Sequence, residues 1–169
     1  MAVDPSSTAY LDTCIVSGLA KNDLASSEAA TLLRILQARQ TGKVKLVTSA
    51  VAKEELSRIP AQYRTPHSAI YLLLSNVPTV PTHLTQSRTT PSAIVRANWS
   101  EDPLYAQLRN LLPDAGDAEH TFQATKCGAT FLLTVDRQSF LRHSGAVEQL
   151  CGVRLVTPAE FEQTILGST

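Results

Sequence analysis

Residues 8 to 16 read TAYLDTCIV and residues 130 to 136 read TFLLTVD, each a short apolar, β-prone run that meets an aspartate, Asp12 in the first and Asp136 in the second. Bounded runs of this kind suit strands buried on both faces, as in a parallel sheet. VKLVTS (44–49) and the run at 153–156 have the same character. Helical patterns fall between them: 17–21, 26–39 with Leu32, Leu33, Ile35 and Leu36 on its apolar face, a helix after Ser49, 68–75, 104–112 ended by Pro113, 117–126 closed by Cys127-Gly128, 140–150, and a last helix opening at Thr157-Pro158. Strands alternating with helices predict an α/β domain whose parallel central sheet is flanked by helices. Ser26 or Ser27 is expected to cap the second helix and Ser49 the third. Residues 76–80 read as a further strand, and 82–100, rich in Thr and Ser, as a loop with some helix near 91–97.

The chain has 169 residues, the length of a single domain, 1–169. With 43% hydrophobic and 18% charged residues it is neither collagen-like, nor low-complexity, nor a charge-rich disordered chain. Fifteen basic residues balance fifteen acidic ones, so any site for a polyanion must be local. Cys14, Cys127 and Cys151 lack the spacing of zinc knuckles or disulfide scaffolds. A reducing cytoplasm is the expected setting. No run is long and apolar enough for a membrane span, and the N-terminus has no secretory pattern.

In an open parallel sheet, ligands bind beyond the carboxyl ends of the strands. Asp12 and Asp136 follow strand runs and emerge at that edge. Glu55 lies two turns into the helix after Ser49, and Asp117 opens the helix before TFLLT. Four acids from four elements can therefore converge. Crowded carboxylates repel, and a hard divalent cation such as Mg²⁺ or Mn²⁺ relieves the repulsion. Such a cation can activate water and steady a departing oxygen in phosphodiester hydrolysis.

Three ordered segments carry a resemblance. YLDTCIVSGL, TSAVAKEEL and GDAEHTFQATKCGATFLLTVDRQSF resemble the motifs of the PIN-domain nucleases, the family that includes the VapC-type toxins, over residues 9 to 143. The resemblance implies a PIN-like fold with Asp12, Glu55, Asp117 and Asp136 as metal-binding and catalytic acids holding Mg²⁺ or Mn²⁺. It implies metal-dependent cleavage of RNA, with an antitoxin protein and a homodimer as partners to be expected of a toxin. Thr13, Ser49 and Thr134 stand beside matched positions, where the family often uses hydroxyls to support metal ligands or phosphate oxygens. Lys53, Arg58, Arg137 and Arg142 are neighbours of the acids in sequence and are the expected phosphate contacts.

Each acid also has a structural reading. Asp12 suits a helix cap, Glu55 a solvated helix face, Asp117 the cap of its own helix, and Asp136 the turn after its strand. Glu54 competes with Glu55, and Asp114 and Glu119 with Asp117; neighbours on a helix diverge by about 100°, so Glu55 is preferred over Glu54. His120 follows Asp117 by three residues and can share its face, whereas His67, His83 and His143 read as surface or packing residues and Trp99 as packing. Cys14 reads as core. A PIN-like module that binds RNA or protein without cutting is the alternative. A phosphoaspartyl hydrolase would want a second aspartate where Cys14 stands, and no glycine-rich phosphate loop follows the first strand.

Overall fold

The computed structural model describes residues 7–80 and 101–167. The expected loop at 82–100, His83 and Trp99 lie outside them. In chain order the elements are β1 (Thr8–Leu11), α1 (Thr13–Ala20), α2 (Ser26–Gln40), β2 (Lys45–Thr48), α3 (Ala50–Arg58), α4 (Ala61–Arg64), α5 (Ser68–Ser75), α6 (Pro103–Leu111), α7 (Ala115–Lys126), β3 (Phe131–Leu133), α8 (Ser144–Cys151), β4 (Arg154–Val156) and α9 (Pro158–Ile165). The strands form one parallel sheet in the order β2-β1-β3-β4, and the chain is an α/β domain of the expected class.

Strand side chains alternate between two faces. Ala9, Leu11, Leu46, Phe131, Leu133 and Val156 pack with residues of α1, α2, α3, α5 and α9, among them Ile15, Leu32, Ile35, Leu56, Leu74 and Phe161. Tyr10, Leu132 and Leu155 point the other way, toward Leu108 of α6, Phe122 of α7 and Val147 of α8. Helices thus cover both faces, which is why the strands read as unbroken apolar runs. Full burial of side chains such as Leu32 and Ile35, both 0% exposed, stabilises the fold by about 1.5–3 kcal/mol each.

Helix starts follow local chemistry. Ser49 Oγ accepts from the Ala52 N–H, Asp102 from Leu104 and Asp114 from Gly116 and Asp117, while Thr157 and Glu160 form a reciprocal capping box. Gly152 closes α8 at φ 76°, a left-handed conformation that disfavours a β-carbon.

Three expectations need correction. The residue capping α2 is Ala25, with no side-chain bond, so neither Ser26 nor Ser27 holds that end. Residues 76–80 form no strand: Pro78 lacks an N–H, and a single bridge joins Thr48 to Thr79. The stretch 140–150 is not one helix, because a 3₁₀ turn, Leu141–His143, precedes α8.

Candidate acidic site at the sheet edge

The register sets Leu11 opposite both Thr48 and Leu133, so β1, β2 and β3 end level with one another. Asp12 continues that edge, its N–H donating to the Leu133 carbonyl at 3.0 Å, and Thr134 donates likewise to Val156 at 3.0 Å. By alternation Asp12 shares the face of Tyr10, and Thr134 that of Leu132. This is the face covered by α7, the helix that carries Asp117 and His120.

Asp12 is 3% exposed and stands at the N-cap position of α1, yet its side chain makes no capping bond. Its Oδ2 instead accepts from Thr134 Oγ1 at 2.8 Å, and its Oδ1 lies 3.4 Å from Thr13 Oγ1 and 3.5 Å from His120 Nε2. The Thr134 hydroxyl, its proton given to Asp12, accepts the Asp136 N–H at 3.2 Å and stands 3.1 Å from Cys14 Sγ. Burial, reinforced by the Asp12 charge, pushes the Cys14 thiol far above its ordinary pKa, so it stays protonated and serves packing.

Asp136 closes its own turn. Its Oδ1 accepts from the N–H groups of Gln138 and Ser139, and its Oδ2 from the Ser139 hydroxyl. Burial alone would raise its pKa; the bonds from Ser139, Gln138 and Phe140 outweigh that and hold it below the ordinary value. The carboxylate is therefore ionised and satisfied.

Asp117 is the exception. Asp114 caps α7 through the Gly116 and Asp117 N–H groups, which leaves the Asp117 side chain free of that task. Its Oδ2 is buried and has no hydrogen-bond partner among the described residues. Burial first, and then the charges of Asp12, Asp114 and Asp136, raise its pKa to about 7. Those shared charges place Asp12, Asp117 and Asp136 in one electrostatic neighbourhood.

Glu55 belongs to the other layer. It accepts from Ser17 Oγ at 3.1 Å, and Ser17 lies one turn of α1, about 6 Å, beyond Thr13. Glu54 pairs with Arg58 at 4.0 Å on the outside of α3. Glu119 places its charge near Tyr105 and Tyr10. Among the described residues, no group of three or more His, Cys, Asp or Glu side chains is arranged so that it could hold an ion. The oxygens of Asp12 and Asp136 are taken up by their own neighbours.

The expected substrate contacts divide. Ser49 is fully buried and is engaged in capping α3, and Thr134 is fully buried and holds Asp12; neither is placed to touch a phosphate. Lys53 Nζ donates to the Leu74 carbonyl at 3.0 Å and to that of Ser75, tying α3 to α5 rather than facing the acids. Arg58 is exposed beside Glu54. Thr13 lies at the cluster, and Arg137 and Arg142 are exposed on the segment that follows β3. Arg137 makes no ion pair among the described residues.

Sequence reasoning missed Tyr10, Gln123, Ser17 and Ser139. Tyr10 carries the one usable signal: it stands two residues before Asp12, and alternation sends both side chains to the same face. No described helix is long and apolar enough to cross a membrane. Comparison of the chain with known protein families, curated proteins and solved structures returned no match.

Proposed function

We propose that this chain is a divalent-metal-dependent endoribonuclease of the PIN-domain kind, working as the toxin of a toxin–antitoxin pair. The observation that carries the reading is Asp117 Oδ2, a buried oxygen without a hydrogen-bond partner among the described residues, surrounded by the charges of Asp12, Asp114 and Asp136 at the carboxyl edge of a parallel sheet. A buried acceptor with negative neighbours calls for a cation. The donor set fits Mg²⁺ or Mn²⁺, since it is all carboxylate oxygen. The absence of a ready cage of three side chains among the described residues is compatible with Mg²⁺, which binds through one or two carboxylates and fills its remaining positions with water and substrate phosphate. Asp117 and Asp12 would hold it, with Asp136 at the margin, and it would supply charge neutralisation at the phosphate and activation of water.

The chain's own residues do the rest. Thr134 fixes Asp12 Oδ2, and its hydroxyl also receives the Asp136 N–H, so one buried side chain orients two acids. Arg137 and Arg142, exposed on the segment that follows β3, would meet the RNA backbone, whose phosphates the uncompensated acids would otherwise repel. An antitoxin protein and a homodimer are part of the same proposal and rest on the ordered motifs alone.

The test is cleavage of single-stranded and structured RNA in Mg²⁺, in Mn²⁺ and in EDTA. Cutting is expected with either ion, absent in EDTA, and reduced at least about 100-fold in Asp12→Asn and Asp117→Asn. Cutting that persists in EDTA or in Asp12→Asn overturns the reading. Binding of RNA without cutting in either ion gives the alternative, an inert module; the engagement of Asp12 and Asp136 by their own neighbours favours that second reading.

A further inference from the structure

A pocket of about 330 Å³ lies where α3, α4 and α5 meet, in the layer opposite α7, and the acidic edge makes no use of it. Its size falls at the small end of ligand pockets, about 300–1,000 Å³. Leu56, Leu72 and the Tyr71 ring supply apolar walls, Lys53 and Arg64 bring two cations, and no acidic side chain lines it. Leu72 is 66% exposed, an unusual state for a leucine in a pocket wall.

Tyr71 is the informative residue. It is 6% exposed, and its hydroxyl is buried with no hydrogen-bond partner among the described residues. Burial raises its pKa while the Arg64 charge opposes the rise, so the hydroxyl keeps its proton and feels that guanidinium. A buried O–H without an acceptor is costly, and folded proteins satisfy most such groups. The other polar groups of the pocket do not relieve it. Ser57 and Ser75 donate to carbonyls of their own helices, those of Glu54 at 2.7 Å and Leu72 at 2.6 Å. Lys53 gives two of its three protons to the Leu74 and Ser75 carbonyls and keeps one. The Arg64 guanidinium is exposed and forms no ion pair or hydrogen bond among the described residues. The Arg39 charge also acts on Lys53, and after burial it is the second cause that lowers the lysine pKa. Donors and positive charge are therefore in excess here, the complement of an anion rich in acceptor oxygens.

We propose that this pocket binds a phosphate monoester carried on a small apolar body, its oxygens taken by Arg64, Lys53 and the Tyr71 hydroxyl and its body laid against Leu56 and Leu72. A monoester is favoured over a carboxylate because the donors come from three elements and two cations match a charge near −2. A free small molecule and the terminal phosphate of an RNA both present that group. The site is separate from the acidic edge and does not rest on the nuclease reading.

The test is titration of the full chain with phenyl phosphate in phosphate-free buffer at about pH 8, where the monoester is dianionic, followed by calorimetry and amide NMR. Saturable one-to-one binding is expected, with shifts in α3 and α5. Arg64→Gln and Tyr71→Phe should each weaken it at least about tenfold, and Arg109→Gln, on α6 in the other layer, should leave it unchanged. Tyr71→Phe breaks no hydrogen bond among the described residues, so its urea midpoint without ligand should not fall, which separates a lost ligand contact from a damaged fold. Inorganic phosphate, which lacks the apolar body, should bind at least about tenfold more weakly than phenyl phosphate, and benzoate more weakly too. Competition by a short 5′-phosphorylated RNA, but not by its unphosphorylated form, assigns the group to an RNA end; no competition assigns it to a free small molecule. Absence of saturable phenyl phosphate binding, unchanged affinity in Tyr71→Phe or Arg64→Gln, or tighter binding of benzoate overturns the proposal. Loss of RNA cleavage in Asp12→Asn bears on the acidic edge alone, so the two readings fail separately.

Discussion

Replacing Asp117 by asparagine should make the metal-free protein more stable at about pH 8, by about 1–2 kcal/mol. Burial and the charges of Asp12, Asp114 and Asp136 raise the Asp117 carboxyl from its ordinary 3.8 to about 7 in the folded chain. The folded chain therefore holds this proton more tightly than the unfolded one. The ionised form opposes folding above about 7, and the penalty fades as pH falls, vanishing below 3.8. In full, a displacement of that size corresponds to roughly 4 kcal/mol. The side chain is half-buried, and solvent screening reduces the figure to about 1–2 kcal/mol. Its place in the first turn of α7, where the helix dipole favours an acid, takes back about 0.5 kcal/mol. Urea unfolding of both proteins in EDTA, at about pH 8 and about pH 4, measures the difference, which should be present at the higher pH and gone at the lower. Adding Mg²⁺ should reverse the order: an ion that binds only the folded wild type stabilises it by about 2.7 kcal/mol at a hundred times its Kd, and the Asp117→Asn variant would forgo most of that. A variant less stable than the wild type at about pH 8 in EDTA, or equally offset at both pH values, would refute the electrostatic account.

Thr134→Val keeps the shape of the side chain but leaves Asp12 Oδ2 and the Asp136 N–H without their partner, and should destabilise the fold by about 1–3 kcal/mol in urea unfolding. Asp114→Ala removes the cap that receives the Gly116 and Asp117 N–H groups; thermal unfolding should report a loss of about 1 kcal/mol. In the same variant the Asp117 pKa should fall toward its ordinary value, since the Asp114 charge helps to raise it, and NMR titration of the carboxyl reads this directly. Arg137→Ala should raise KM for RNA about threefold to tenfold while Mn²⁺ affinity stays unchanged, because the side chain offers a cation to the backbone but no ligand to the ion.

The strands were legible because burial on both faces leaves a local mark, an apolar run bounded by polar residues. TAYL and TFLLTV declare themselves in this way, and so do the aspartates that end them. Caps at Ser49 and at Thr157 were equally local, since an N-cap satisfies a donor two or three residues along. Ser26 and Ser27 had the right chemistry and still failed, because chain geometry put the helix start one residue earlier, at Ala25. Lys53 failed for a different reason. Its closeness in sequence to Glu55 suggested a shared site, but the two residues lie about 200° apart around α3, and the ammonium faces the carbonyls that end α5. The Tyr10–His120–Gln123 chain is the instructive case, because it joins β1 to a helix more than a hundred residues away. A period of two told that Tyr10 and Asp12 share a face, and a period of 3.6 brought His120 onto the side of Asp117, but neither period says which helix covers which face. That assignment comes from sheet order: β3 lies next to β1, so α7, the helix that leads into β3, covers the face that Tyr10 and Asp12 share. The same step separates Glu55 from the aspartates, for α3 packs with α1 in the opposite layer. Residue type and spacing therefore nominate the acids one by one, and the topology decides which of them can share a charge.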